Sequence, residues 1–128
     1  MIFRTMLKSK IHRATVTEAD VEYEGSISID RDIMDAADLL EHEKVQVLDL
    51  TNGARLETYV ISSEASSGKI GINGAAARLI SEGDMVIIIS YVEVHEEKVA
   101  DYPAKVVLVD EENRITAIQE KGEAFDLC

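Results

Sequence analysis

The bond between Gly25 and Ser26 is the feature of this sequence that could carry unusual chemistry. The serine hydroxyl can attack the preceding glycine carbonyl and move the chain from nitrogen to oxygen. Elimination of the resulting ester cuts the chain and leaves a pyruvoyl group, a ketone that supplies cofactor chemistry from the protein itself. A Gly-Ser pair is also an ordinary turn in many proteins, so the other segments must decide between the two interpretations.

A lysine and a histidine near the N-terminus form the second group of chemically able residues. Lys10 and His12 are two positions apart, so they share one side of a predicted strand. Lysine can bind a substrate carboxylate, and histidine titrates near neutral pH. A solvated strand face without any function is the alternative.

The third group lies in the segment from Arg55 to Tyr59. Strand alternation predicts that Arg55, Glu57 and Tyr59 share one face and that Thr58 points to the other. Arginine can bind a carboxylate through two hydrogen bonds, and tyrosine can donate a proton. An Arg-Glu surface pair beside a half-buried tyrosine would explain the same pattern.

Small residues form the fourth group, in the run from Asn73 to Ala77. Gly74, Ala75 and Ala76 would let backbone N–H groups approach an anionic ligand at the start of a short helix. The alternative is a tight turn with alanines packed beneath it.

Two further kinds of site find little support. The segment from Asp49 to Gly53 faintly resembles the Asp-Thr-Gly loop of aspartic proteases, but an extra residue separates Asp from Thr and Asn52 interrupts Thr-Gly. A hairpin turn explains this segment. The three histidines, His12, His42 and His95, lack the spacing of metal ligands, so no metal is expected.

The composition limits the possible partners of the chain. The net charge of −12 argues against binding to nucleic acid or to an anionic membrane. Residues 1–13 are nevertheless basic, which suits either a small anionic ligand or the protection of an edge strand. The single cysteine, Cys128, and the lack of a signal peptide predict a cytoplasmic protein. The basic residues are Arg4, Lys8, Lys10 and Arg13.

Short runs rich in Val, Ile and Thr predict a mainly β single domain of residues 1–128. Asn52-Gly53 predicts a hairpin, Asp30 caps a helix that includes Leu40, and the apolar run from Met85 to Tyr91 predicts a central strand. About seven short strands would avoid exposed edges by closing into a barrel. The tail after about residue 120 is expected to be flexible. The predicted strands are Ile11–Thr17, Ile27–Asp30, Lys44–Thr51, Arg55–Ser62, Lys69–Ile72, Met85–Tyr91, Val106–Val109 and Ile115–Ile118.

Taken in order, these segments resemble the pyruvoyl-dependent aspartate 1-decarboxylases. The resemblance runs from residue 1 to about residue 92 and is looser beyond. The matching segments are Arg4–Leu7, Lys10–Thr17, Tyr23–Ser26, Asn52–Tyr59, Asn73–Ala77 and Gly83–Asp84.

The resemblance implies a closed six- to seven-stranded double-ψ β-barrel with one or two short helices, assembled as a homotetramer with active sites between subunits. An inactive precursor would cut itself into a β-chain of residues 1–25 and an α-chain of residues 26–128. The implied reaction converts L-aspartate to β-alanine and CO2 and feeds pantothenate and coenzyme A synthesis. The cofactor would be a pyruvoyl group derived from Ser26, with neither a metal nor pyridoxal phosphate.

The resemblance also implies roles for individual residues. Ser26 becomes the pyruvoyl group that forms a Schiff base with the substrate, and Tyr59 donates a proton. Processing involves Gly25, Ser26 and Thr58. Substrate binding is expected from Lys10, Arg55, Thr58, Gly74, Ala75 and Ala76, with support from His12, Tyr23 and Asn73.

Two alternatives remain open on the residues alone. A non-enzymatic small-barrel binding module would keep the Gly25-Ser26 bond intact. A pyruvoyl decarboxylase could also act on another acidic amino acid, such as glutamate.

Overall fold

A computed structural model describes residues 1–120, and over that range the chain is mainly β, as predicted. The described part contains nine strands rather than six or seven, together with the helix α1 (Arg31–Ala36) and the 3₁₀ helices Gly74–Arg78 and Glu96–Asp101. The predicted flexible tail lies outside the described residues. The strands are β1 (Phe3–Thr15), β2 (Glu18–Asp20), β3 (Ser26–Asp30), β4 (Lys44–Asp49), β5 (Arg55–Ser63), β6 (Ile70–Asn73), β7 (Met85–His95), β8 (Lys105–Val109) and β9 (Ile115–Glu120).

All nine strands belong to one sheet, in the order β2-β6-β3-β5-β4-β7-β1-β8-β9. In a flat sheet the six steps from β2 to β1 would separate these strands by about 29 Å. Only Val16 and Thr17 connect them along the chain, and this link spans about 11 Å at most. The sheet must therefore curl back on itself. Among residues 1–120 no pairing joins the end strands β2 and β9, so the closed double-ψ barrel stays a prediction.

Aliphatic side chains inside the curled sheet form the core. Ile27 and Ile29 of β3 lie opposite Ile72 and Ile70 of β6, and all four are at most 1% exposed. The central strand β7 contributes further buried residues, which confirms the expectation from its apolar run. β-Branched residues suit this position because they pack well on a pleated surface.

The predicted hairpin around Asn52-Gly53 is confirmed and joins β4 to β5. Gly53 has a φ of +79°, the left-handed conformation that such turns require. The antiparallel register pairs Leu48 with Arg55 and Lys44 with Tyr59. The hairpin therefore fixes which face of β5 each candidate site residue occupies.

The predicted helix after β3 is confirmed but shorter than expected. The Asp30 side chain caps α1 by accepting the backbone N–H of Asp32. The prediction that Leu40 lies on this helix is wrong, because the helix ends at Ala36 and Asp38 adopts a left-handed φ of +56°. Leu40 is 71% exposed.

The basic N-terminal segment forms a longer strand than predicted, and this strand lies inside the sheet. β1 pairs with β7 on one side and with β8 on the other. β8 pairs only with Ser9–His12, so protection of a sheet edge does not explain Lys10. Arg4, Lys8 and Arg13 lie outside this pairing, and for them the edge explanation stays open. One of them, Lys8, forms a largely buried ion pair with Glu43, with 2.7 Å between the charged atoms.

Candidate active site

The Gly25-Ser26 bond lies where β3 begins, between two other strands. β3 runs parallel to β5 on one side and antiparallel to β6 on the other. Ser26 is directly opposite Asn73, the last residue of β6, and the 3₁₀ helix Gly74–Arg78 follows at once. Two predicted site segments, distant in sequence, thus meet at this bond.

The Ser26 side chain is buried and hydrogen-bonded. It is 2% exposed, and its Oγ accepts a hydrogen bond of 2.9 Å from Asn73 Nδ2. The hydroxyl donates in turn to the backbone carbonyl of Glu24 at 3.3 Å. Asn73 Nδ2 also donates to Ser28 Oγ at 3.1 Å. The amide of Asn73 therefore holds the hydroxyl next to the Gly25-Ser26 bond in one orientation.

Gly74 packs directly against Gly25. A Cβ added at Gly74 would lie 2.7 Å from Gly25 Cα and 2.8 Å from Gly25 N, closer than real Cβ contacts come. It would also lie 3.0 Å from the carbonyl oxygen of Tyr23, whose side chain is 54% exposed. Gly74 has a φ of +74° as well, so both space and backbone conformation require glycine here.

Tyr59 and Thr58 follow the alternation that the sequence predicts. Ile27 pairs with Val60, and both are fully buried in the core. One residue earlier on each parallel strand, Ser26 and Tyr59 are level and point to the opposite face. Thr58 lies one residue before Tyr59 on β5, and Gly25 directly precedes β3. Thr58 is half-buried, whereas Tyr59 is exposed and its ring contacts His42 edge-on at 5.8 Å between centroids.

Arg55 shares the Tyr59 face but lies farther from the Ser26 bond. Four residues separate it from Tyr59, about 13 Å along a strand. Its side chain is exposed and has no ion-pair partner among the described residues. Ala75 is exposed one residue beyond Gly74, and Ala76 packs against the core.

No hydrogen bond or ion pair joins Lys10 or His12 to Ser26 among the described residues. They lie on β1, which β5, β4 and β7 separate from β3 in the sheet order. His12 is 9% exposed, and its Nδ1 has no hydrogen-bond partner among the described residues. Burial lowers the pKa of His12, and the positive charges of Lys10 and Arg13 lower it further.

A polar cavity of about 350 Å³ lies beside the Ser26 cluster. Its lining includes Tyr23, Ser28 and Asn73, together with the ion pair between Lys69 and Glu18 at 2.7 Å. A larger cavity of about 380 Å³, near Arg13, contains none of the candidate site residues.

Ser28 and the carbonyl of Glu24 also belong to the Ser26 cluster, and neither is among the predicted site residues. Ser28 lies two positions after Ser26, so strand alternation already put it on the Ser26 face. The Glu24 carbonyl carried no signal, because any residue provides the same backbone oxygen.

Residues 1–120 contain no cluster of three or more His, Cys, Asp or Glu side chains that could hold a metal ion. Over the same range, no helix has the length and apolar character needed to cross a membrane.

Comparison with known protein families identifies the family to which the Ser26 cluster belongs. Residues 2–116 match the family described as Aspartate decarboxylase. The chain belongs to this family. A curated relative, the aspartate 1-decarboxylase of Acetivibrio thermocellus, is 57% identical over 120 residues, which cover 94% of this chain and 95% of the relative.

The aspartate decarboxylase match extends over all candidate site residues, from Lys10 to Ala76, and ends within β9. It therefore extends beyond the segments that carried the resemblance, into the C-terminal strands.

Proposed function

We propose that this aspartate decarboxylase family member converts L-aspartate to β-alanine and CO2 after cutting its own chain between Gly25 and Ser26. The observation that carries the proposal is the buried Ser26 hydroxyl, held by Asn73 beside the tightly packed glycines Gly25 and Gly74. The name and high identity of the Acetivibrio relative support the choice of reaction.

The cut begins at the Ser26 hydroxyl. Its Oγ attacks the Gly25 carbonyl carbon, the peptide C–N bond breaks, and the nitrogen of Ser26 takes the proton, which leaves an ester. Loss of the Ser26 Cα proton then breaks the Cβ–O bond and releases Gly25 as a carboxylate. Hydrolysis of the remaining dehydroalanine by water releases ammonia and leaves the pyruvoyl ketone.

The residues around Ser26 suit these steps. Asn73 Nδ2 donates to Oγ, so it stabilises negative charge on that atom as the proton leaves. Thr58, next to Tyr59 on the neighbouring strand β5, is our candidate donor to the Gly25 carbonyl oxygen. Since Gly25 has no side chain, its carbonyl carbon is open to attack.

The same residues fit a pyruvoyl group at position 26. Because Gly74 packs closely against Gly25, only backbone atoms of these glycines lie beside position 26. The side-chain amide of Asn73 can donate a hydrogen bond to an oxygen atom at position 26. Once formed, the ketone supplies an electron sink for the charge that remains on Cα when CO2 leaves.

The substrate is held through its side-chain carboxylate, which leaves the α-carboxylate free to rotate before CO2 is lost. Arg55 is the first candidate to bind this carboxylate and Lys10 the second, because both are positively charged and partly or fully accessible. Backbone N–H groups at Gly74, Ala75 and Ala76, with Thr58, would complete the contacts. Tyr59, on the same face as Ser26, would donate the proton to Cα after CO2 has left.

Assembly of several copies would bring Lys10 to the site of a neighbour. We propose a homotetramer with active sites between subunits, because no hydrogen bond or ion pair joins Lys10 to Ser26 among residues 1–120 of one chain. His12 and Tyr23 would position these groups. The product would feed pantothenate and coenzyme A synthesis in the cytoplasm.

A denaturing mass spectrum tests the proposal. The wild-type protein should give two fragments, residues 1–25 and a pyruvoyl-terminated 26–128. Ser26→Ala should give one uncut chain without activity. Ser28→Ala is the matched control, since it removes the other buried hydroxyl bound by Asn73 and should leave the cut in place.

Either of two results would overturn the proposal. An intact wild-type chain that still releases CO2 would exclude the pyruvoyl route. Preferential CO2 release from glutamate, when aspartate and glutamate compete, would replace the substrate.

A further inference from the structure

A buried carboxyl group at the end of β4 has an oxygen without a hydrogen-bond donor. Asp49 is 2% exposed. Its Oδ1 accepts the backbone N–H groups of Thr51 and Asn52 at 2.7 and 3.2 Å. Its Oδ2 is buried and receives no hydrogen bond from the described residues. An ionised oxygen in this position would have lost its water without compensation.

Asp49 pairs with Val86 of β7, and Asp84 lies two residues before Val86, in the turn that precedes β7. This pairing puts the Asp84 carboxyl group within hydrogen-bonding reach of Asp49. The backbone holds the two turns together, because Leu50 N donates to Met85 O at 2.8 Å and Met85 N donates to Thr51 Oγ1 at 3.3 Å. Asp84 Oδ2 accepts the Ser81 N–H at 3.0 Å. Two carboxylates in such contact repel each other when both are ionised, and a single proton converts this repulsion into a hydrogen bond.

We propose that Asp49 and Asp84 share one proton in the folded chain, and that this hydrogen bond fastens the β4–β5 turn to the turn before β7. The proton resides on Asp49, where it gives the buried Oδ2 a partner, and Asp84 accepts the hydrogen bond.

The direction of the pKa shifts agrees with one shared proton. Burial raises the pKa of Asp49, and its hydrogen bond with Asp84 raises it further against the opposing effect of the Thr51 and Asn52 amides. The same hydrogen bond, followed by that of the Ser81 amide, lowers the pKa of Asp84. Among residues 1–120, Asp84 is the only charged group that contributes to the shift in the pKa of Asp49. The charged side chains on the neighbouring elements are exposed: Arg13, Arg55, Arg78 and Glu82.

Both segments that meet at this pair lead to candidate site residues. Asp49 N donates to Ala54 O, directly before Arg55. Asn52 Nδ2 donates to Leu79 O at 2.7 Å, directly after the 3₁₀ helix that begins at Gly74. The pair thus also positions Arg55 and this helix, a consequence that rests on the proposed function.

The sign of the pH effect follows from the two shifts. The stability contributed by Asp49 is complete below its ordinary pKa of 3.8 and is lost as the pH rises through its raised value. The stability contributed by Asp84 is lost as the pH falls through its lowered value. The pair therefore stabilises the fold most between the two pKa values and less at higher pH.

Thermal unfolding of the full chain from about pH 4 to about pH 8 tests the shared proton. Asp49→Asn puts a permanent N–H donor in place of the proton. The difference between the Tm of Asp49→Asn and the Tm of wild type should therefore increase by roughly 4 °C as the pH rises over this range. Asp110→Asn is the matched control, because Asp110 also accepts turn N–H groups but is exposed. Its difference from wild type should stay constant.

A carbon-13 NMR titration of the wild-type aspartate carboxyl groups tests the same point without any variant. One aspartate, assigned to position 49 by its absence in Asp49→Asn, should titrate above 3.8. A normal titration of that signal, or Tm curves of wild type and Asp49→Asn that stay parallel, would overturn the shared proton. Neither measurement depends on decarboxylation, so failure of the proposed function would be seen separately.

Discussion

Within one chain, the surroundings of Ser26 contain more of the proposed site than the surroundings of Lys10 do. Ser26, Asn73 and Tyr59 lie on three neighbouring strands, and pairing within one sheet brings them to a single face. Lys10 lies on β1, with three strands between. The difference indicates that one chain can assemble the groups for cutting its own backbone. If Lys10 binds the substrate, we expect it to be the Lys10 of a neighbouring subunit.

The largest effect is expected from the contact between the two glycines. Gly74→Ala should slow self-cleavage by about 10²-fold or more, because its Cβ would displace the backbone of Gly25. Time-resolved denaturing mass spectra of freshly made protein measure the cut fraction.

Gly53→Ala is the matched control for this change. Gly53 and Gly74 have similar φ values of +79° and +74°, but a Cβ at Gly53 meets nothing within 4 Å. Gly53→Ala should strain the backbone equally and still cut. Equal cleavage rates in the two variants would mean that the glycine contact does not align the bond.

The next largest effect is expected at Tyr59, where a substitution should lower turnover without affecting self-cleavage. Tyr59→Phe should be cut normally but lose about 10² to 10⁴-fold in kcat, because only proton donation is removed. CO2 release by the fully processed variant measures it. Tyr91→Phe, another exposed tyrosine, on β7, serves as the control. Near-normal turnover of Tyr59→Phe would assign proton donation to another group.

A smaller effect is expected at Lys10, and it tests the comparison directly. Lys10→Ala should be cut normally and lose roughly 10- to 100-fold in kcat/KM, in line with one charge-assisted contact. Co-expression with Ser26→Ala should restore activity, since one chain supplies Ser26 and the other supplies Lys10 to a shared site.

Co-expression of Tyr59→Phe with Ser26→Ala is the matched control for this experiment. Tyr59 and Ser26 are level on adjacent strands of one chain, so neither partner supplies a complete pair and activity should stay low. Equal recovery of activity in both co-expression mixtures would mean that Lys10 and Tyr59 do not differ in which subunit supplies them.

Local signals predicted the elements that depend on neighbouring residues. Asn52-Gly53 predicted the hairpin because few residues adopt its turn conformation, and Asp30 predicted a cap because its side chain accepts the next free N–H groups. β2 was missed, because its three residues, Glu18–Asp20, are too few to show a strand pattern and include two acids, which are uncommon in strands. Its existence depends on parallel pairing with β6, about 50 residues away in the chain.

The sequence by itself determined which groups are present: a glycine-serine bond, a tyrosine and two cations in an ordered family pattern, and a mainly β chain. Only the tertiary structure decided which of them meet. The register of β3 between β5 and β6 puts Tyr59 and Asn73 beside Ser26, and it presses Gly74 onto Gly25. The pairing of β4 with β7 joins Asp49 to Asp84 in an acidic pair that no local pattern signals. The physical reason is that strand pairing connects residues far apart in sequence, whereas propensity and alternation act between near neighbours.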